Sequence, residues 1–145
     1  MKLDFKNIHI GSYIKCRVDE QGIDIVRICN FLKVTEPEIN EMYLQKSLDT
    51  EILLRWSKLL EYDFFRVYTQ HLIIFAPQDK IQYNAKPKKQ NSSLPAFRKN
   101  IYTKEVIDFI LELLNTGKKT KLQIIEEYGI PKTTLYKWIV KYNEA

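Results

Sequence analysis

Gly129-Ile130-Pro131-Lys132-Thr133-Thr134-Leu135-Tyr136-Lys137-Trp138-Ile139 is the stretch on which the reading of this chain turns. A glycine stands where a helix C-terminus needs a left-handed residue, and Pro131 then begins a new helix. Leu135, Trp138, Ile139 and Tyr142 recur at helical spacing and predict one buried face. Lys132, Thr133, Thr134, Tyr136, Lys137 and Lys141 are left to look outward. Hydroxyls near a helix N-terminus can meet phosphate or base edges, Lys137 can reach guanine acceptors, and Lys141 suits backbone phosphate. The plain alternative is a three-helix bundle with a solvated basic face.

Working upstream, Thr103 caps a helix carrying Val106, Ile107, Ile110, Leu113 and Leu114, and Gly117 stops it. Thr120 and Gln123 form a capping box that opens a second helix through Ile124, Ile125 and Tyr128. Helix, short loop, helix, Gly-led turn, helix is the trihelical helix-turn-helix plan. Lys118, Lys119 and Lys121 are either solvated loop lysines or a second phosphate contact.

This block, about residues 101 to 142, resembles the N-terminal helix-turn-helix of insertion-sequence transposases, with its Gly-Ile-x-x-x-Thr-Leu-Tyr-x-Trp ending. It is also similar to the pipsqueak-type domain, with Gly-Ile-Pro-x-x-Thr-Leu. Pro131 departs from the transposase version, where a serine cap is common, so capping is expected to pass to Thr133. Both resemblances imply a helical module that places its last helix on duplex DNA.

Before this block, residues 76–100 carry six basic side chains against Asp79 alone, which accounts for essentially all of the net +5 charge. Pro77, Pro87, Pro95 and Asn91-Ser92-Ser93 cannot sustain a helix or bury a core, so the segment reads as a basic linker. Lys86, Lys88, Lys89, Arg98 and Lys99 are candidate phosphate contacts, although a basic linker also serves solubility. A coil of this length spans roughly 25–30 Å, comparable with one turn of DNA at about 34 Å.

Residues 1–75 are nearly neutral, with ten basic and eleven acidic side chains. Ile10, Ile14 and Val18 predict a helix ended by Gly22. Asp24 caps a second helix with Ile25, Ile28, Cys29 and Leu32 inward. Thr35 and Glu38 form a capping box for a third, through Ile39, Met42 and Tyr43. Asp49 caps a fourth over residues 52–60, and a fifth starts near Tyr62, carrying Phe64, Phe65, Tyr68 and Leu72 into the run Ile73-Ile74-Phe75.

That order, over roughly residues 8–61, resembles the phage-repressor (Cro-type) helix-turn-helix domain, through Ile10-Gly11, Ile14, Gly22, Ile28-Cys29, Val34-Thr35, Ile39, Leu53 and Leu59. Val18 and Tyr43 depart from that family's frequent arginine and glutamate. The resemblance implies that the third helix enters the major groove. Asn40 and Gln45 could read adenine there, but Glu36, Glu38 and Glu41 repel phosphate. Dimerisation, a protein partner or support are the other uses of this domain.

The chain of 145 residues fits one ordinary domain or two very small ones, too short for a barrel enzyme of about 250. Apolar residues at 45% and aromatics at 12% are enough for cores, and only four glycines favour helices over many hairpins. No stretch approaches the roughly 20 apolar residues of a membrane span, and the N-terminus lacks a signal-peptide core. Cys16, Cys29, His9 and His71 have no metal-ligand spacing, and the cysteines are expected reduced in an apolar core, as in a cytoplasmic protein.

The expectation is an all-α chain of two small helix-turn-helix-type domains, 1–75 and 101–145, joined by the linker 76–100. Duplex DNA is the expected partner, with a homodimer through the first domain. No enzyme, cofactor, metal or small-molecule substrate is expected. The transposase resemblance implies an accessory or orphan recognition subunit of a mobile element, without its catalytic domain. A transcription regulator or a protein-interaction adaptor are the alternatives.

Overall fold

The computed structural model describes residues 4–76, 93–95 and 101–143. Nearly all of the 76–100 segment lies outside them, including Lys86, Lys88, Lys89, Arg98 and Lys99. The described residues form eight helices and no strand, so the protein is all-α. They divide into two compact units, Met1–Thr69 and Gln70–Ala145.

In the first unit, α1 (Ile10–Gln21) ends at Gly22 in the left-handed region, φ 61°. α2 (Ile25–Leu32) ends at Lys33 and α4 (Thr50–Leu60) at Glu61, both left-handed without glycine. The start of α1 is closed by tertiary contact. Ile10 and Gly11 donate their N–H groups to the carbonyls of Lys46 and Gln45, both at 3.1 Å, just beyond α3 (Glu36–Leu44). These bonds satisfy two donors that a helix start leaves free, and Gly11 allows the backbones this close.

The capping box of α3 has Glu38 Oε2 accepting both the Thr35 N–H and the Thr35 hydroxyl at 2.7 Å. Asp49 accepts the Glu51 N–H at 2.8 Å and starts α4. Asp24 stands in the N-cap position of α2, yet its carbonyl, not its side chain, takes the bonds, from Arg27 and Ile28. Ile10, Ile14, Ile28, Ile39, Trp56, Leu60 and Phe64 are fully buried in one core.

Several sequence expectations are corrected here. α5 (Phe65–Phe75) starts three residues later than Tyr62, because Asp63 accepts the Phe65 N–H at its entry. On α5 Leu72 is 57% exposed, and Val67, Gln70, Ile73 and Ile74 form the buried side. The cysteines are free but only half-buried. Cys29 packs beside the core, whereas Cys16 lies next to Glu20 at 3.5 Å. The two compact units divide at Thr69 and Gln70, inside α5.

The second unit therefore begins with the end of α5 and continues through α6 (Lys104–Asn115), α7 (Lys121–Tyr128) and α8 (Lys132–Asn143). Thr103 caps α6 by accepting the Val106 N–H. On α6 the buried arc is Val106, Ile107, Ile110 and Leu111. Leu113 lies off that arc and Leu114 falls in the last turn, so both are half-buried. Val106, Ile110, Ile124 and Leu135 are fully buried, and Ile130 nearly so.

Candidate nucleic-acid interface

Three local devices aim α8. Thr120 and Gln123 close the α7 capping box reciprocally, N–H to side chain, at 2.9 and 3.2 Å. Gly129, with φ 62° and ψ 21°, then turns the chain. Pro131 stands one residue ahead of α8, and its carbonyl accepts the Leu135 N–H at 3.0 Å. Among the described residues the Thr133 hydroxyl makes no capping bond, so the cap expected there is not formed.

The underside of α8 is held firmly. Leu135 is fully buried, and Trp138, 8% exposed, meets the Tyr102 ring edge-on at 4.9 Å between centroids. Ile139 and Tyr142 are half-buried beside them. Of the six candidate readers, Lys132, Thr133, Lys137 and Lys141 are exposed, Tyr136 is 42% exposed, and Thr134 is half-buried. α8 carries three lysines and no carboxylate, and Lys132, Lys137 and Lys141 have no ion-pair partner among the described residues.

Tyr136 gathers charge around it. The Lys121 ammonium lies 5.0 Å and the Lys132 ammonium 5.7 Å from its ring centroid, both within cation–π range. This joins the first residue of α7 to the outer face of α8, a member that the sequence reading left undecided. Its neighbour Lys119 is used differently. It pairs with Glu127, which raises the lysine pKa above its ordinary value, and it lies 5.9 Å from the Tyr128 ring. Val140, 59% exposed two turns after Thr133, is another outward residue that the sequence reading did not name.

In the first unit, α3 carries three glutamates and no basic residue. Glu36 and Glu38 sit in its first turn, where the helix dipole favours them. Asn40 is exposed, while Gln45 lies past the helix end, where its carbonyl takes the Gly11 N–H. Asn40 lines an open groove of about 640 Å³ between α1 and α3, with Cys16, Asp19, Glu20, Tyr43 and Leu44. Burial pushes the Tyr43 phenol up to about 12, with Asp19 adding to the effect. The groove carries more acid than base, unlike α8.

Among the described residues no helix is long and apolar enough to cross a membrane, and no group of His, Cys, Asp or Glu could hold a metal.

No family model matches this chain, and no curated protein or solved structure matches it.

Proposed function

We propose that the chain binds double-stranded DNA through the outward face of α8. The observation that carries this is a helix whose buried side holds Leu135 and Trp138 while its exposed side offers three lysines, Thr133, Tyr136 and no carboxylate. A helix about 10–12 Å across fits a major groove about 12 Å wide. Lysines on such a helix neutralise phosphates and release counterions. Lys121, beside Tyr136, adds a fourth cation from α7. Recognition of this kind serves either a mobile element or transcription control, and selection of bound fragments from a random duplex pool names the site.

Salt dependence tests the reading. With Lys121, Lys132, Lys137 and Lys141 on phosphates, the logarithm of affinity falls with the logarithm of salt at a slope of about −3.6. Lys137→Ala with Lys141→Ala weakens binding at unchanged helicity and reduces that slope by about 1.8. Absence of duplex binding at low salt would overturn the proposal.

The charge of α3 favours a second reading for the first unit, contact with a basic protein partner and not with DNA. Reversing Glu36 and Glu41 to lysine then leaves duplex selectivity unchanged, because those carboxylates touch no DNA.

A further inference from the structure

The outer face of α8 is ordered, and that order bears on what it reads. Successive residues of a helix advance by about 100°. Leu135, Trp138 and Tyr142 mark the inward direction. Opposite them, on the crest, stand Thr133 and Val140, seven residues apart and nearly in line. Lys132 and Tyr136 run along one flank, Lys137 and Lys141 along the other.

In a duplex major groove the two phosphate walls lie to the sides and the base edges lie ahead. Lys137 with Lys141 on one flank, and Lys132 beside Tyr136 on the other, therefore match the walls, and the crest matches the floor. A single exposed valine is ordinary on a protein surface. One on the crest between flanks that each carry lysine is different, since this placement directs an apolar group toward base edges. Every base presents hydrogen-bonding groups there, and thymine adds a methyl that apolar side chains and the threonine methyl can meet.

We infer that α8 reads thymine, with the methyls of Thr133 and Val140 packed on the 5-methyl groups of two thymines while the flanking lysines hold phosphates. This rests on the proposal that α8 binds duplex DNA. Seven residues rise about 10.5 Å along a helix. That distance is about three base steps at about 3.4 Å each, so the two thymines lie about three steps apart.

The probe is the duplex that the full chain selects from a random pool, with each thymine replaced singly by deoxyuridine, which pairs alike but lacks the methyl. Replacement at two positions about three steps apart weakens binding about fourfold each, the scale of one methyl withdrawn from contact. Val140→Ala removes the sensitivity at one position, and Thr133→Ser, which keeps the hydroxyl, removes it at the other. Both residues are exposed, so unchanged helicity accompanies these losses. A selected site indifferent to uracil, or a Val140→Ala variant as sensitive as the parent, overturns the thymine inference and leaves duplex binding by α8 standing. Failure to bind any duplex at low salt overturns both.

Discussion

The side-chain oxygen of Gln70 accepts the Thr103 N–H at 3.1 Å, while its amide nitrogen donates to the Ile101 carbonyl at 2.6 Å. Gln70 is 2% exposed, so its amide meets these two backbone groups from inside the unit, although Ile101 itself is exposed. Thr103 is also the N-cap of α6. The end of α5 is thereby fastened to the start of the three helices that aim the basic face.

Gln70→Ala accordingly removes both of these part-buried bonds and destabilises the second unit by about 0.5–1.5 kcal/mol for each bond lost. Urea denaturation followed by far-UV circular dichroism measures this. A fragment of residues 65–145 retains Gln70, Ile73 and Ile74 and unfolds cooperatively, whereas one of residues 101–145 is less stable. Equal midpoints for the two fragments would show that α5 contributes nothing there.

Gly11→Ala reverses an expectation from helix propensity. Alanine stabilises a helix interior by about 1 kcal/mol relative to glycine. At position 11, however, an added Cβ stands 2.3 Å from the Met42 carbonyl oxygen, 2.6 Å from that of Tyr43 and 2.7 Å from that of Gln45. These are backbone atoms that cannot swing aside, so steric strain outweighs propensity. The variant loses about 3 kcal/mol, measured as a lower urea midpoint, and a stabilised Gly11→Ala protein would contradict the close approach of α1 to the end of α3.

The capping box of α3 gives stability a pH dependence of known sign. Hydrogen bonds from the Thr35 backbone and hydroxyl hold the Glu38 carboxyl below its ordinary value. A depressed folded pKa means stability that is fully present above the unfolded value, about 4.3, and is lost as pH falls through the folded one. Asp4 is shifted in the same direction by the Asn7 and Lys6 amides. As pH falls below the unfolded value, stability therefore declines less steeply in Glu38→Gln than in the parent chain. Titrations of identical slope would show that Thr35 does not hold this carboxylate.

The parts of this fold that the sequence announces are the local ones. Thr35 with Glu38, Thr120 with Gln123, Gly22 and Gly129 act on neighbours three or four residues away, so their spacing alone declares the helix ends. The buried face of α5 was less legible. Its run of apolar residues fits more than one helical register, and burial of Gln70 against residues 31 and 33 positions away selects the one with Leu72 outward. Lys33 and Glu61 take left-handed cap positions without the glycine that would have flagged them. On α8 the periodicity separated Trp138 from the lysines correctly, since a single helix contains that information. Which of Lys118, Lys119 and Lys121 joins them depends on how α7 packs against α8, and no spacing within either helix encodes it.

Lys119 and Lys121 provide the sharpest comparison because they are two residues apart with different neighbours. Lys119 pairs with Glu127, so its charge is already neutralised locally and its removal breaks a surface pair worth little to stability. Lys121 lies over the exposed ring of Tyr136, on the face assigned to DNA, and among the described residues no carboxylate pairs with it. Lys121→Ala therefore weakens duplex binding and reduces the salt slope by about 0.9, the release expected for one phosphate contact. Lys119→Ala leaves affinity and slope close to the parent values. Affinity measured at four salt concentrations for both variants decides the matter. If the two substitutions reduce the slope equally, binding follows net charge alone, and the interface is not the surface formed by Lys121 and α8.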